Sequence, residues 1–263
     1  MDKSSVRRIF RNPARGIPNV YPIESMDGAG QILIFVIFAI VAAIGGYFAH
    51  QAAKKRREAM LALANRLGMD YRPAHDTSHD EEYAHFEVFR RGFGRSAFNT
   101  ISGQLKLGGQ FVYCKMGDFR YKTREGSGKN RRTVTHRFSY LILHLPYPNT
   151  PDLLIRREGV FDKLASAFGK NDIDFESAEF SKRFFVKSPN RKFAYDIIHP
   201  RMIEFLLETN PPVVDLECGR LCMTDGSRIW QPEKFETTAA WIDSFLGHWP
   251  DFILKDLEQG VLR

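Results

Sequence analysis

"ILIFVIFAIVAAIGGYFAHQAAKKRREAM", residues 32 to 60, joins an apolar run to four adjacent cations and decides how the chain is organised. From Gly28 to Ala49 there are 22 residues without a charge. At a rise of ~1.5 Å per residue, Ile32 to Ala49 covers about 27 Å, close to the hydrocarbon thickness of a bilayer. The expectation is therefore one membrane-spanning helix over 30–50. A core helix of a soluble domain would carry a polar face, and this run has none. A cleaved signal peptide fits poorly, because the tail before the run is long and Lys54, Lys55, Arg56 and Arg57 directly after it resist translocation.

Those four cations also set the expected topology. Within about 20 residues of the run, the N-terminal side offers Arg11 and Arg15, offset by Glu24 and Asp27, and the C-terminal side offers Lys54, Lys55, Arg56, Arg57 and Arg66. The bias predicts a single-pass protein of the cell membrane with a cytoplasmic C-terminal domain. Three cysteines, Cys114, Cys218 and Cys222, agree with a reducing compartment. Residues 1–29, with Pro13, Pro18 and Pro22, read as a mobile tail. Residues 51–69 read as a basic juxtamembrane helix, with Met60, Leu63, Ala64 and Leu67 on one stripe and Gly68 as its stop.

Residues 70–263 read as an α+β domain. "HDTSHDEE" (75–82) is expected to be a solvated loop. "HFEVF", "SAFNTISGQL", "QFVYCKMGDFRYKT", "RTVTHRFSYLILHL" and "DLLIRR" read as four or five strands of an antiparallel sheet, with "REGSGKNRR" as a hairpin turn. Beyond them, "GVFDKLASAFG" predicts a helix, "KRFFVKS" a strand, and "PVVDLECGRLCMTD" a hairpin turning near Gly219. Two helical pieces divide at Pro200, and a helix from Pro232 breaks at Pro250.

Familiar chemical motifs fail one by one. "GSGKN" has Thr123 where a phosphate loop needs glycine and Asn130 where it needs Ser or Thr, and "GFG" at 92–94 has Ala97 in place of a third glycine. Cys218 and Cys222 form a C-x3-C with no second pair and read as ordinary buried thiols. His75, Asp76, His79, Asp80, Glu81 and Glu82 lack the helix and third ligand that a zinc site requires. Asp172, Asp174 and Glu176 would share one face of a strand, which is more often a solvated edge. No catalytic residue, metal or cofactor is expected.

The concentrated feature is "RYKTREGSGKNRRTVTHR", residues 120–137, where seven Lys/Arg face Glu125 alone, +6. Residues 1–57 hold nine Lys/Arg and three acids, +6, so residues 58–263 carry +1 of the chain's +7. A domain so close to neutral argues against a nucleic-acid partner. Tethered to a lipid bilayer, a cationic hairpin tip formed by Arg120, Lys122, Arg124, Lys129, Arg131 and Arg132 would be drawn to anionic lipids. The bland reading is a soluble hairpin whose charges guard an open edge. Small pairs four apart, Ala39 with Ala43, Ala42 with Gly46 and Gly45 with Ala49, would let the span form a homodimer.

"GKNDIDFESAEFSKRFFVKSPNRKFAYDIIHPRMIEFLLE", the core of a signature in 155–207, resembles uncharacterised bacterial membrane-anchored proteins with a domain of unknown function. "RREGVFDKLASAFG" and "GDFRYKTREGSGKN" are similar too, so that the likeness spans about 85–263. It implies an anchored α+β domain and brings no catalytic residues. Read physically, Phe175, Phe180, Phe184 and Val186 are core positions. The reading is a membrane-anchored binding or scaffolding module; an enzyme with an unrecognised pocket and a translocated envelope domain are the alternatives.

Overall fold

The structure is a computed structural model that describes residues 28–158 and 173–261. Residues 1–27 of the tail expected over 1–29, the helix expected at 159–169 and Asp172 lie outside the described residues. Two compact units are present, Met1–Ala52 and Ala53–Arg263.

Helix α1 spans Gly28–Leu67. It stops where Gly68 takes φ +65°, a left-handed conformation that lets the Met69 N–H return to the Ala64 carbonyl at 3.0 Å. Within the first unit the apolar segment is long and apolar enough to cross a membrane, and its large side chains from Ile32 to Phe48 are exposed.

The second unit is built on one antiparallel sheet of eight strands, in the order β1-β2-β3-β4-β8-β7-β5-β6. The strands are β1 Asp70–Arg72, β2 Phe93–Leu107, β3 Gln110–Glu125, β4 Arg132–His144, β5 Leu153–Arg157, β6 Phe184–Lys187, β7 Val213–Glu217 and β8 Arg220–Thr224. The helices are α2 His79–Glu82, α3 Ala178–Arg183, α4 Arg191–Ile197, α5 Pro200–Thr209, α6 Pro232–Gly247 and α7 Asp251–Glu258. An α+β fold of an apolar N-terminal helix, an antiparallel sheet and C-terminal helices is thus what the chain adopts, and Pro200 and Pro232 each start a helix as expected.

Side-chain alternation along β3 and β4 sorts two cores onto opposite faces of the sheet. Cys114, Met116, Leu141 and Leu143 join Met60, Leu63 and Ala64 of α1, and Phe235, Ile242 and Phe245 of α6, on one face. Phe119, Tyr121, Phe138, Tyr140 and Ile142 face the other way, against Tyr83, Phe86 and Phe89. Phe180, Phe184 and Val186 are buried in the first core, and Phe175 packs at its margin.

The second core corrects the expectation of a solvated loop at 75–82. His79 is fully buried, with its ring against Tyr83, Phe89, Phe119 and Tyr140. The segment folds as α2 and a 3-10 turn, Glu87–Arg90, so "HFEVF" is not a strand. The aromatic residues that suggested a strand are used instead to roof the sheet. Residues 173–177 are not a strand either, so Asp174 and Glu176 do not share a strand face. Cys222 is buried as expected and Cys114 is buried too, whereas Cys218, expected to be buried, is exposed. It occupies the two-residue β7–β8 turn with Gly219, both at positive φ, the backbone such a hairpin requires.

Candidate functional site

β3 and β4 are longer than their neighbours. β2 pairs with β3 only as far as Lys122, and β8 pairs with β4 only from Tyr140, so Thr123 to Val134 is a two-stranded ribbon. Register puts Arg120 opposite Arg137, Lys122 opposite Thr135 and Arg124 opposite Thr133, all on the face that carries Met116 and Asp118. Arg120 and Lys122 are half-buried, and Arg124, Lys129, Arg131, Arg132 and Arg137 are exposed. Of the six residues expected to form the basic tip, Arg120, Lys122 and Arg124 therefore share this face. Lys129 lies in the turn Gly128–Asn130, and Arg132 pairs with Glu125 at 3.2 Å. Phe93, 40% exposed, lies under the Arg124 guanidinium at 5.1 Å and adds an aromatic ring that the charge pattern did not suggest.

Asp118 closes the base of this face. Its Oδ2 accepts from Arg56 Nε at 3.0 Å and Asn99 Nδ2 at 3.1 Å, and its Oδ1 accepts from Arg56 Nη2 at 2.7 Å and the Ser139 hydroxyl at 2.7 Å. Arg56 Nη1 donates to the Trp230 carbonyl at 2.6 Å, and the Trp230 N–H donates to Ser139 Oγ at 2.9 Å. Asn99 reaches Asp118 from a bulge between Phe98 and Ile101, at φ 51°, a conformation that asparagine tolerates. With 1% of its side chain exposed, Asp118 is acceptable inside the protein only because these four donors surround it.

Arg56 thus belongs to the fold as well as to the run of topology cations. Lys55 and Arg57 are exposed, and Lys54 is a surface partner of Glu58 at 3.9 Å. From Arg56 the helix leads away from the hairpin, through Met60 and Leu63 to Met69, which stands over Gly103, the partner of Cys114.

Beside Asp118 sits a second cluster. Arg120 Nε donates to Ser96 Oγ at 3.0 Å, and Ser96 Oγ lies 3.2 Å from His75 Nδ1. Partial burial, then the Arg120 and Arg137 charges, hold His75 below its usual pKa.

The acidic residues near His79 are dispersed. Asp80 pairs with Arg95, and Asp76 and Glu82 with Lys115, and among the described residues no group of three could hold a metal. A cavity of about 350 Å³ does gather Asp152, Asp215, Glu217, Lys187 and Ser188. Burial and the neighbouring Glu217 and Asp152 carboxylates push Asp215 well up, and burial followed by Asp152 pushes Glu217 up to about 7. The Ser188 hydroxyl is directed at the Asp152 and Asn190 backbone carbonyls, at 2.6 and 3.0 Å, so no serine is activated there.

No family model matches the chain, and no curated protein sequence matches it. Among solved structures, the crystal structure of the mycobacterial trehalose monomycolate transport factor A, TtfA, is similar over 74% of this chain and 96% of that one, at 13% identity and a TM-score of 0.47.

Proposed function

We propose that this is a single-pass membrane protein whose Ala53–Arg263 unit faces the cytoplasm and acts as a binding module, its β3–β4 ribbon engaging anionic lipid head groups. The observation that carries the reading is the Arg56–Asp118 pair. It ties Arg56, close in sequence to the apolar run, to the base of the cationic ribbon. A cation held close to an anionic leaflet gains ~1 kcal/mol, so a ribbon with a net charge of +6 adds several such gains in one place. Attraction falls off within a Debye length of ~8 Å at physiological salt, so the reading predicts a strong salt dependence. Phe93 beneath Arg124 supports the same reading, since an aromatic ring beside cations suits the head-group layer.

The test is hydrogen exchange on the full chain in nanodiscs. Amides of 120–137 should be protected in phosphatidylglycerol-containing discs relative to phosphatidylcholine discs, and high salt should abolish the difference. Equal exchange in both lipids leaves only the role of guarding the open edges of the ribbon.

A further inference from the structure

We infer that Arg120, Arg137 and His75 form a discrete binding site for a phosphate monoester or free phosphate at the base of the ribbon, with Ser96 as its positioning residue.

Arg120 and Arg137 are directly opposite each other on adjacent strands, a placement that by itself destabilises a sheet. The neighbouring carboxylate does not relieve them, because Asp118 is already filled by Arg56, Asn99 and Ser139. Among the described residues neither arginine has an acidic partner within ion-pair distance. Arg120 spends its Nε on Ser96, which leaves its Nη groups to point elsewhere and fixes the plane of the guanidinium. Ser96 Oγ, which accepts from Arg120, also lies within hydrogen-bond distance of His75 Nδ1 and so links the two side chains. Ser96 is only 2% exposed, so it orients Arg120 and His75 from below while His75 and Arg137 are open to solvent. Asp76, the acid adjoining His75 in sequence, is occupied by Ser78 and Lys115. Two guanidinium groups and an imidazole that can take up a proton, with no acid left over, match the charge and the several acceptor oxygens of a phosphoryl group.

The inference rests on the head-group reading only for the source of the phosphate, so the two are tested apart. The full chain, labelled in its histidines, is placed in phosphatidylcholine nanodiscs and titrated by NMR in inorganic phosphate or in chloride at equal ionic strength. Phosphate should raise the His75 pKa by about one pH unit or more, since an anion replaces repulsion by attraction. Arg137→Gln, an exposed change, should cut that rise several-fold, and so should Arg120→Gln. A His75 pKa that is the same in both salts, or a rise that both variants keep, would overturn the site. Phosphatidic acid in the disc, without free phosphate, identifies the source. A His75 rise there supports the site with a lipid head group as ligand. A rise with free phosphate alone supports the site with a soluble ligand and counts against head-group contact at it. If phosphatidylglycerol protects 120–137 but His75 responds to neither phosphate source, the head-group reading stands and this site falls.

Discussion

Asp118 is the lone acid between Phe111 and Arg124, a run otherwise charged only by cations, and that isolation is plain in the sequence. Its partner is not, because Arg56 sits in a run of four cations that looks uniformly solvated and lies 62 residues away. Removing one member of a buried pair strands the other, so Asp118→Ala should lower unfolding stability by about 3–5 kcal/mol in denaturant titration. The exposed Lys55→Ala should change it by less than about 0.5 kcal/mol. His79 is illegible for the opposite reason: surrounded in sequence by Asp, Ser and Glu, it looks hydrophilic, but the aromatic residues that enclose it come from β3, β4 and the 3-10 turn. Burial, then the Lys115 charge, lower its pKa from 6.5 to about 3. Between those values the unfolded chain binds a proton that the folded one does not, so stability falls as pH drops below 6.5, at up to ~1.4 kcal/mol per pH unit. Glu217, with its raised pKa, contributes the opposite slope between 4.5 and about 7. Comparing His79→Leu with the parent isolates the histidine: the variant should lose less stability between pH 6.5 and 5, and identical slopes would contradict the buried neutral ring.

At the scale of elements, periodicity recovers most of the sheet. β2, β3, β4 and β5 lie where alternation and β-branched residues put them, and the helices starting at Pro200 and Pro232 follow from the fit of proline to a first turn. The elements that periodicity misses share a cause. "HFEVF" has a strand's composition, yet a composition rich in aromatics serves equally to cover a sheet, and five residues are too few for periodicity to decide. β1 is three residues long and carries no pattern of its own. "GFG" fails as a nucleotide loop, and the structure supplies its use: Gly92 and Gly94 both take positive φ where the chain turns into β2. A Cβ on Gly92 would overlap the Lys122 carbonyl oxygen, so Gly92→Ala should cost about 1–3 kcal/mol by thermal or chemical unfolding. Gly94→Ala meets only the flexible end of Lys122 and should cost less. Equal effects would mean that backbone conformation alone, rather than the close approach to β3, sets the requirement for glycine.

Across the whole molecule, charge is the organising quantity. The net +7 divides into a basic first 57 residues and a nearly neutral remainder in which one ribbon holds +6. Composition reveals that ribbon but not its base, because the pairing of Arg120 with Arg137 depends on register and the link to Arg56 depends on tertiary packing. The central claim is that the ribbon reaches an anionic head-group layer. It is tested most directly by a dye on Ser127→Cys, in a Cys218→Ser background because Cys114 and Cys222 are buried, with full-length protein reconstituted in vesicles carrying a head-group quencher. Quenching should be strong with phosphatidylglycerol and weak with phosphatidylcholine. It should collapse when Arg120, Lys122, Arg124, Lys129, Arg131 and Arg132 are all replaced by Gln. Quenching that is the same in both lipids, or that survives loss of the six charges, would contradict the account.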